Sequence, residues 1–136
     1  MFRSVLSGTA QDALALLGKS KLVEKGYLAG GSALALHFGH RYSIDFDFFS
    51  QEAFDPQKLS RQMQKLGNFA ETLAKGISLI GTFQGIKFSY FQYEYSLIAK
   101  TSNFLEVNIA DIKDIAAMKI AALMDRGTKR DFIDIY

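Results

Sequence analysis

The spacing of apolar side chains switches between a helical and a strand period along the chain. Over residues 9–25, Ala13, Leu16, Leu17 and Val23 fall close to a helical period and Gly26 offers a stop, predicting a first helix. Residues 27–29 are a short apolar run ending in Gly30-Gly31-Ser32, and the Ala/Leu-rich stretch 32–38 stops at Gly39. That order predicts strand, glycine turn, short helix. Over 43–49 the period drops to two: Ile44, Phe46 and Phe48 share one face, Asp45 and Asp47 the other, as in a strand. Pro56 suits the first turn of a helix that runs to Leu66 with Lys58, Arg61 and Lys65 on its wet side.

From 68 to 95 the segments NFAETLA, ISLIGTFQ and GIKFSYFQYEY are rich in Phe, Tyr and Ile, which predicts strands punctuated by Gly76, Gly81 and Gly85, with a hairpin across Gly85. Residues 104–109 predict one more strand. Asp111 is placed to cap a helix, IKDIAAMKIAALMDR, that stops at Gly127, and Thr128 to cap the last segment, KRDFIDIY. No repeat, linker or low-complexity stretch interrupts the chain, so we expect one α+β domain over residues 1–136, a mixed sheet flanked by helices. The last segment is helix-like to its final residue with no stop signal, so the domain is expected to be truncated there or to end by fraying.

Composition narrows the classes. At 136 residues, 49% hydrophobic and 22% charged, the chain can bury a core. A net charge of +2 is too slight to argue for a polyanionic partner. The absence of cysteine excludes disulfides and thiolate metal sites. Gln11, Asp12 and Lys19 break the N-terminal apolar patch, which reads as an amphipathic helix rather than a signal peptide, and no apolar run reaches the roughly 18 residues of a membrane span. We expect a cytoplasmic protein with no membrane partner.

The chemistry concentrates in residues 30–47. On a strand, Asp45 and Asp47 share a face at about 6.6 Å spacing and can aim both carboxylates at one hard divalent cation such as Mg2+. Gly30 and Gly31 let a phosphate approach the backbone, and the helix that follows offers free N–H groups, with Ser32 placed to cap it or to hold a phosphate oxygen. A bare DxD is more often the wet face of an edge strand, and GGS a plain turn. Together in one short segment they make a compact nucleotide and metal site. Arg41 has a fork suited to oxyanions. Lys119 occupies the stripe Ile112, Ala116, Lys119, Leu123, where an apolar residue is expected; it either snorkels to solvent or points a cation at the site. Asp131 and Asp134 share a helical face beside Lys129 and Arg130, ordinarily a solvated arrangement. His37 and His40, near Asp45, leave a second metal site as a minor alternative to helix-end roles.

The segments LAGGSALALHFGHRYSIDFDFF and DIKDIAAMKIAALMDRGTKRDFIDIY, in that order, resemble the nucleotidyltransferase-like toxins of the AbiEii/AbiGii family. The resemblance implies a nucleotidyltransferase fold of the polymerase-β type, with the glycine-serine turn on the nucleotide phosphates and Asp45 and Asp47 on Mg2+. It further implies Lys119 for the phosphates and Asp131 as an active-site carboxylate. The activity implied is transfer of an NMP from an NTP to an RNA hydroxyl, including tRNA ends, or a protein hydroxyl, within a toxin–antitoxin or phage-defence pair, with a cognate antitoxin as partner. One departure stands out: such enzymes usually carry a third carboxylate on a following strand, where GIKFSYFQY has Ser89 or its neighbours, and Glu94 and Glu106 are not placed by the sequence. A catalytically inactive nucleotide-binding or interaction domain of the same fold is therefore the alternative. A metal hydrolase using His37, His40 and Asp45 is a third.

Overall fold

The computed structural model of the chain describes residues 1–39 and 45–129. After a 3-10 turn at Arg3–Val5, helix α1 (Gly8–Ser20) leads to strand β1 (Tyr27–Ala29), helix α2 (Gly30–Phe38) and strand β2 (Asp45–Ser50). Helix α3 (Pro56–Leu66) precedes three strands, β3 (Phe69–Lys75), β4 (Ser78–Phe83) and β5 (Ile86–Gln92). A small hairpin of β6 (Ser102–Phe104) and β7 (Val107–Ile109) then feeds helix α4 (Ile112–Lys129). The strands form one mixed sheet in the order β3-β4-β5-β2-β1-β7-β6. Pairs β2/β5 and β1/β7 are parallel; the others, including β1/β2, are antiparallel. This is the expected α+β mixed sheet.

Hydrophobic alternation sets which face of β2 is covered. Phe46 and Phe48 are fully buried, with Phe88, Phe83 and Leu79 from β5 and β4 and Met63 from α3. Their rings pack at tilted and edge-on angles: Phe48 lies 5.6 Å from Phe88, and Phe69 lies 5.9 Å from Phe88 at 88°. Helix α3 begins at Pro56, as expected, with the Asp55 carboxylate accepting from the Gln57 and Lys58 amides at 3.0 and 3.2 Å.

Four local expectations are corrected. Helix α1 stops at Ser20, not near residue 25, because Lys21 turns left-handed (φ 65°) and the Ser20 hydroxyl accepts from the Leu22 amide at 3.1 Å, ending the hydrogen-bond ladder. Gly81 does not punctuate the β segments. It lies inside β4, where a Cβ would come within 2.3 Å of the Ala70 carbonyl oxygen and within 2.8 Å of the Phe69 ring. The single strand expected over 104–109 is a hairpin, turned at Leu105 and Glu106, both with positive φ (53° and 64°). Helix α4 runs through Gly127 to Lys129 instead of stopping at the glycine.

Candidate functional site

The site is assembled where β1 hands over to α2 beside β2. Register places Ala29 opposite Asp47, so the first residue of α2 lies against the carboxylate. Gly30 has φ +70°, and a Cβ on it would sit 2.7 Å from Asp47 Oδ2. Backbone conformation and contact thus both demand glycine there. At Gly31 the reason differs: a Cβ would meet nothing within 4 Å, and the residue is exposed. Its bare backbone borders open space at the N-terminus of a nine-residue helix, where amide hydrogens and the helix dipole favour an anion.

Ser32 is buried, and its hydroxyl donates to the Asp45 carbonyl, tying the first turn of α2 to the start of β2. The helix has no side-chain cap; Ala29 holds the N-cap position.

Asp45 and Asp47 are both half-buried on the face opposite Phe46 and Phe48. Across the parallel β2/β5 pair, Asp45 faces Lys87 and Asp47 faces Ser89. The Ser89 hydroxyl donates to Asp47 Oδ1 at 2.9 Å. Burial pushes the Asp47 pKa above the usual carboxylate range; the Ser89 hydrogen bond and Lys87 oppose the shift, and the neighbouring Asp45 adds to it. Ser89 therefore occupies the cross-strand position beside Asp47. Lys87, which spacing arguments overlooked, is the cation whose field reaches Asp47. The signal was present in the alternation of IKFSY, which puts Lys87 and Ser89 on one face.

The donor set fits a hard divalent cation: all-oxygen, two carboxylates on one strand face. Among the described residues no three His, Asp or Glu side chains gather to hold a metal on their own. Phosphate and water can supply further oxygen ligands, the usual manner for Mg2+.

The other expected residues are distributed differently. Lys119 is exposed, as are Ile112, Ala116 and Leu123 of its stripe; the edge of α4 turned inward is Asp114, Ile115 and Met118. Helix α4 nonetheless packs against α2, the helix that opens with the glycine turn. His37 Nε2 lies 2.8 Å from the Ala110 carbonyl oxygen and helps clasp α2 to the start of α4. Arg41, His40 and Asp131 lie outside the described residues. A buried carboxylate escaped notice: Asp114 accepts from the Ile98 and Ala99 amides at 2.6 and 3.0 Å and fixes the loop after β5 to α4. Glu106 sits at the β6/β7 turn, paired with Lys21 at 3.1 Å.

The family profile described as "Nucleotidyl transferase AbiEii toxin, Type IV TA system" matches residues 12–136. The chain belongs to the AbiEii nucleotidyltransferase toxin family. It is 45% identical over 114 residues to an uncharacterized protein of Aquifex aeolicus (strain VF5), aq_aa25, covering 81% of this chain and 55% of that protein. Two solved Helicobacter pylori structures share the fold. JHP933 has a TM-score of 0.54 at 17% identity, over 86% of this chain and 58% of that one. A putative nucleotidyltransferase has a TM-score of 0.51 at 16% identity, over 86% and 60%. The chain spans little more than half the length of these relatives. Among the described residues, no helix is long and apolar enough to cross a membrane.

Proposed function

We propose that the chain binds an NTP with Mg2+ and transfers the NMP to a hydroxyl of RNA, tRNA included, or of protein, as the toxin of a pair whose antitoxin counteracts it. The observation that carries this reading is the contact of Gly30 with the Asp47 carboxylate. It sets the open backbone of Gly31 directly beside the two-carboxylate face of β2. An NTP fits that corner with its phosphates at the start of α2 and Asp45 and Asp47 holding the metal that supplies charge neutralisation on those phosphates. Lys87 adds a cation on the same face; Lys119 on α4 and Asp131 are the further residues that the family resemblance brings to the phosphates and the metal, and Arg41 is a further candidate for a phosphate because its fork suits oxyanions. In the transfer, the acceptor oxygen bonds to the α-phosphorus, the bond to the bridging α–β oxygen breaks, pyrophosphate leaves, and the hydroxyl proton passes to solvent.

Ser89 opposite Asp47 favours a second reading. A hydroxyl cannot serve as the carboxylate base usual for the polymerase-β type, so the domain would bind nucleotide without transferring it.

Incubating the protein with each radiolabelled NTP, Mg2+ and total RNA separates the two. Label entering RNA or protein, and lost in Asp45→Ala/Asp47→Ala, is the expected result. Mg2+-dependent binding of NTP with no label transferred to any acceptor establishes the second reading instead.

A further inference from the structure

The face that carries Asp45 and Asp47 continues past the carboxylates as a row of aromatic rings. One step along the register, Phe49 pairs with Phe91 on β5 and with Tyr27 on β1. Ring centroids are 5.8 Å apart for Phe49–Phe91 and 6.2 Å for Phe49–Tyr27. Tyr93 stands 5.9 Å from Phe49, and Tyr95 5.2 Å from Tyr93. A shallow cleft lined by Gln92, Tyr93, Glu94 and Tyr95 closes the row.

These rings differ from those of the core. Phe46, Phe48 and Phe88, on the opposite face, are fully buried. Phe49, Phe91 and Tyr93 are only half-buried, and Tyr95 is 72% exposed. Helix α3 packs with β3 and β4 on the Phe83 and Phe88 side, leaving the outer face of β5 to this row. Tyr27 backs the row from inside: it is buried, and its hydroxyl has no hydrogen-bond partner among the described residues.

We propose that Phe49, Phe91, Tyr93 and Tyr95 form a stacking platform for the base of the NTP whose phosphates sit at the glycine turn. This rests on the nucleotide reading of the carboxylate site. Phe49 lies two residues beyond Asp47 on the same strand face, about 6.6 Å away, a gap that the ribose of a nucleotide spans. Every base offers a π-face, so the platform accepts all four NTPs.

Calorimetric titration with Mg2+ complexes of ATP, GTP, CTP, UTP and inorganic tripolyphosphate tests this in the wild type, Phe49→Leu and Tyr95→Ala. The leucine keeps an apolar side chain at a half-buried position, and Tyr95 is exposed enough to be replaced without disturbing the core. We expect the wild type to bind at least one NTP about tenfold more tightly than tripolyphosphate, and both variants to lose affinity for that NTP, Phe49→Leu by about tenfold, with tripolyphosphate unchanged. Equal wild-type affinity for NTP and tripolyphosphate overturns the platform while leaving the phosphate site standing. Unaltered NTP binding in both variants overturns it too, and if transfer to RNA then falls, the rings serve the acceptor's base. Failure of the wild type to bind either compound removes the nucleotide reading and the platform with it.

Discussion

Asp47 is half-buried beside a second carboxylate, with one oxygen bonded to Ser89 and the other against the first residue of α2. Its raised pKa means that the fold favours the protonated form. That contribution is complete below the unfolded carboxylate pKa and is lost as pH rises through the folded value, so at neutral pH the ionised group is a liability in the absence of a cation. Asp47→Asn should therefore raise the melting temperature at pH 7 while cutting nucleotide transfer about a hundredfold or more, and its stabilisation should vanish in acid, near pH 4 and below. Thermal melts across pH, with and without Mg2+, read this out. Ser89→Ala removes a hydrogen bond that lowers the Asp47 pKa, so the acid limb of Mg2+-dependent NTP binding should move to higher pH. The two glycines separate structure from function. Gly30→Ala combines a left-handed backbone with a 2.7 Å clash and should cost about 1–3 kcal/mol in chemical denaturation. Gly31→Ala should leave stability within about 0.5 kcal/mol but weaken Mg·NTP binding about tenfold.

Among the elements, those whose signals are local were legible in the sequence. Alternation gave β2, and Pro56 gave the start of α3, whose Asp55 cap went unread. Gly39 gave the end of α2, where it is left-handed at φ 77°. What stayed hidden depends on distant partners. The turn at Leu105-Glu106 carries two positive φ values on residues with no such preference, and it is held by α1: Gly18 leaves no space between its backbone and the Leu105 carbonyl, where a Cβ would stand at 2.0 Å. Gly81 looked like a turn because nothing in the sequence shows the Phe69 ring above it. The pairing of Asp45 with Lys87 and Asp47 with Ser89 required the parallel β2/β5 register, which links strands some forty residues apart. Asp114 belongs to this scale as well. Replacing it by Ala leaves two loop amides without their charged acceptor and should cost about 2–4 kcal/mol of stability, measured by denaturant unfolding, with faster amide exchange over residues 96–101.

For the whole molecule, the sheet order brings β1, β2 and β5 side by side, so one face presents the glycine turn, both carboxylates, Lys87 and the aromatic row, while the other face holds the phenylalanine core. The family and the mixed sheet were legible from the residues 28–49 and 111–136. The acceptor was not, because nothing in a net charge of +2 or in the sheet face identifies it, and the chain spans little more than half the length of its relatives. The central claim is that Asp45 and Asp47 bind Mg2+ together with the phosphates at the start of α2. Calorimetry of NTP binding to the wild type and to Asp47→Asn, each with and without Mg2+, tests it most directly. Binding that requires Mg2+ and disappears in a variant that melts no lower than the wild type is the predicted result. Binding that is indifferent to Mg2+, or that survives in Asp47→Asn, would contradict it.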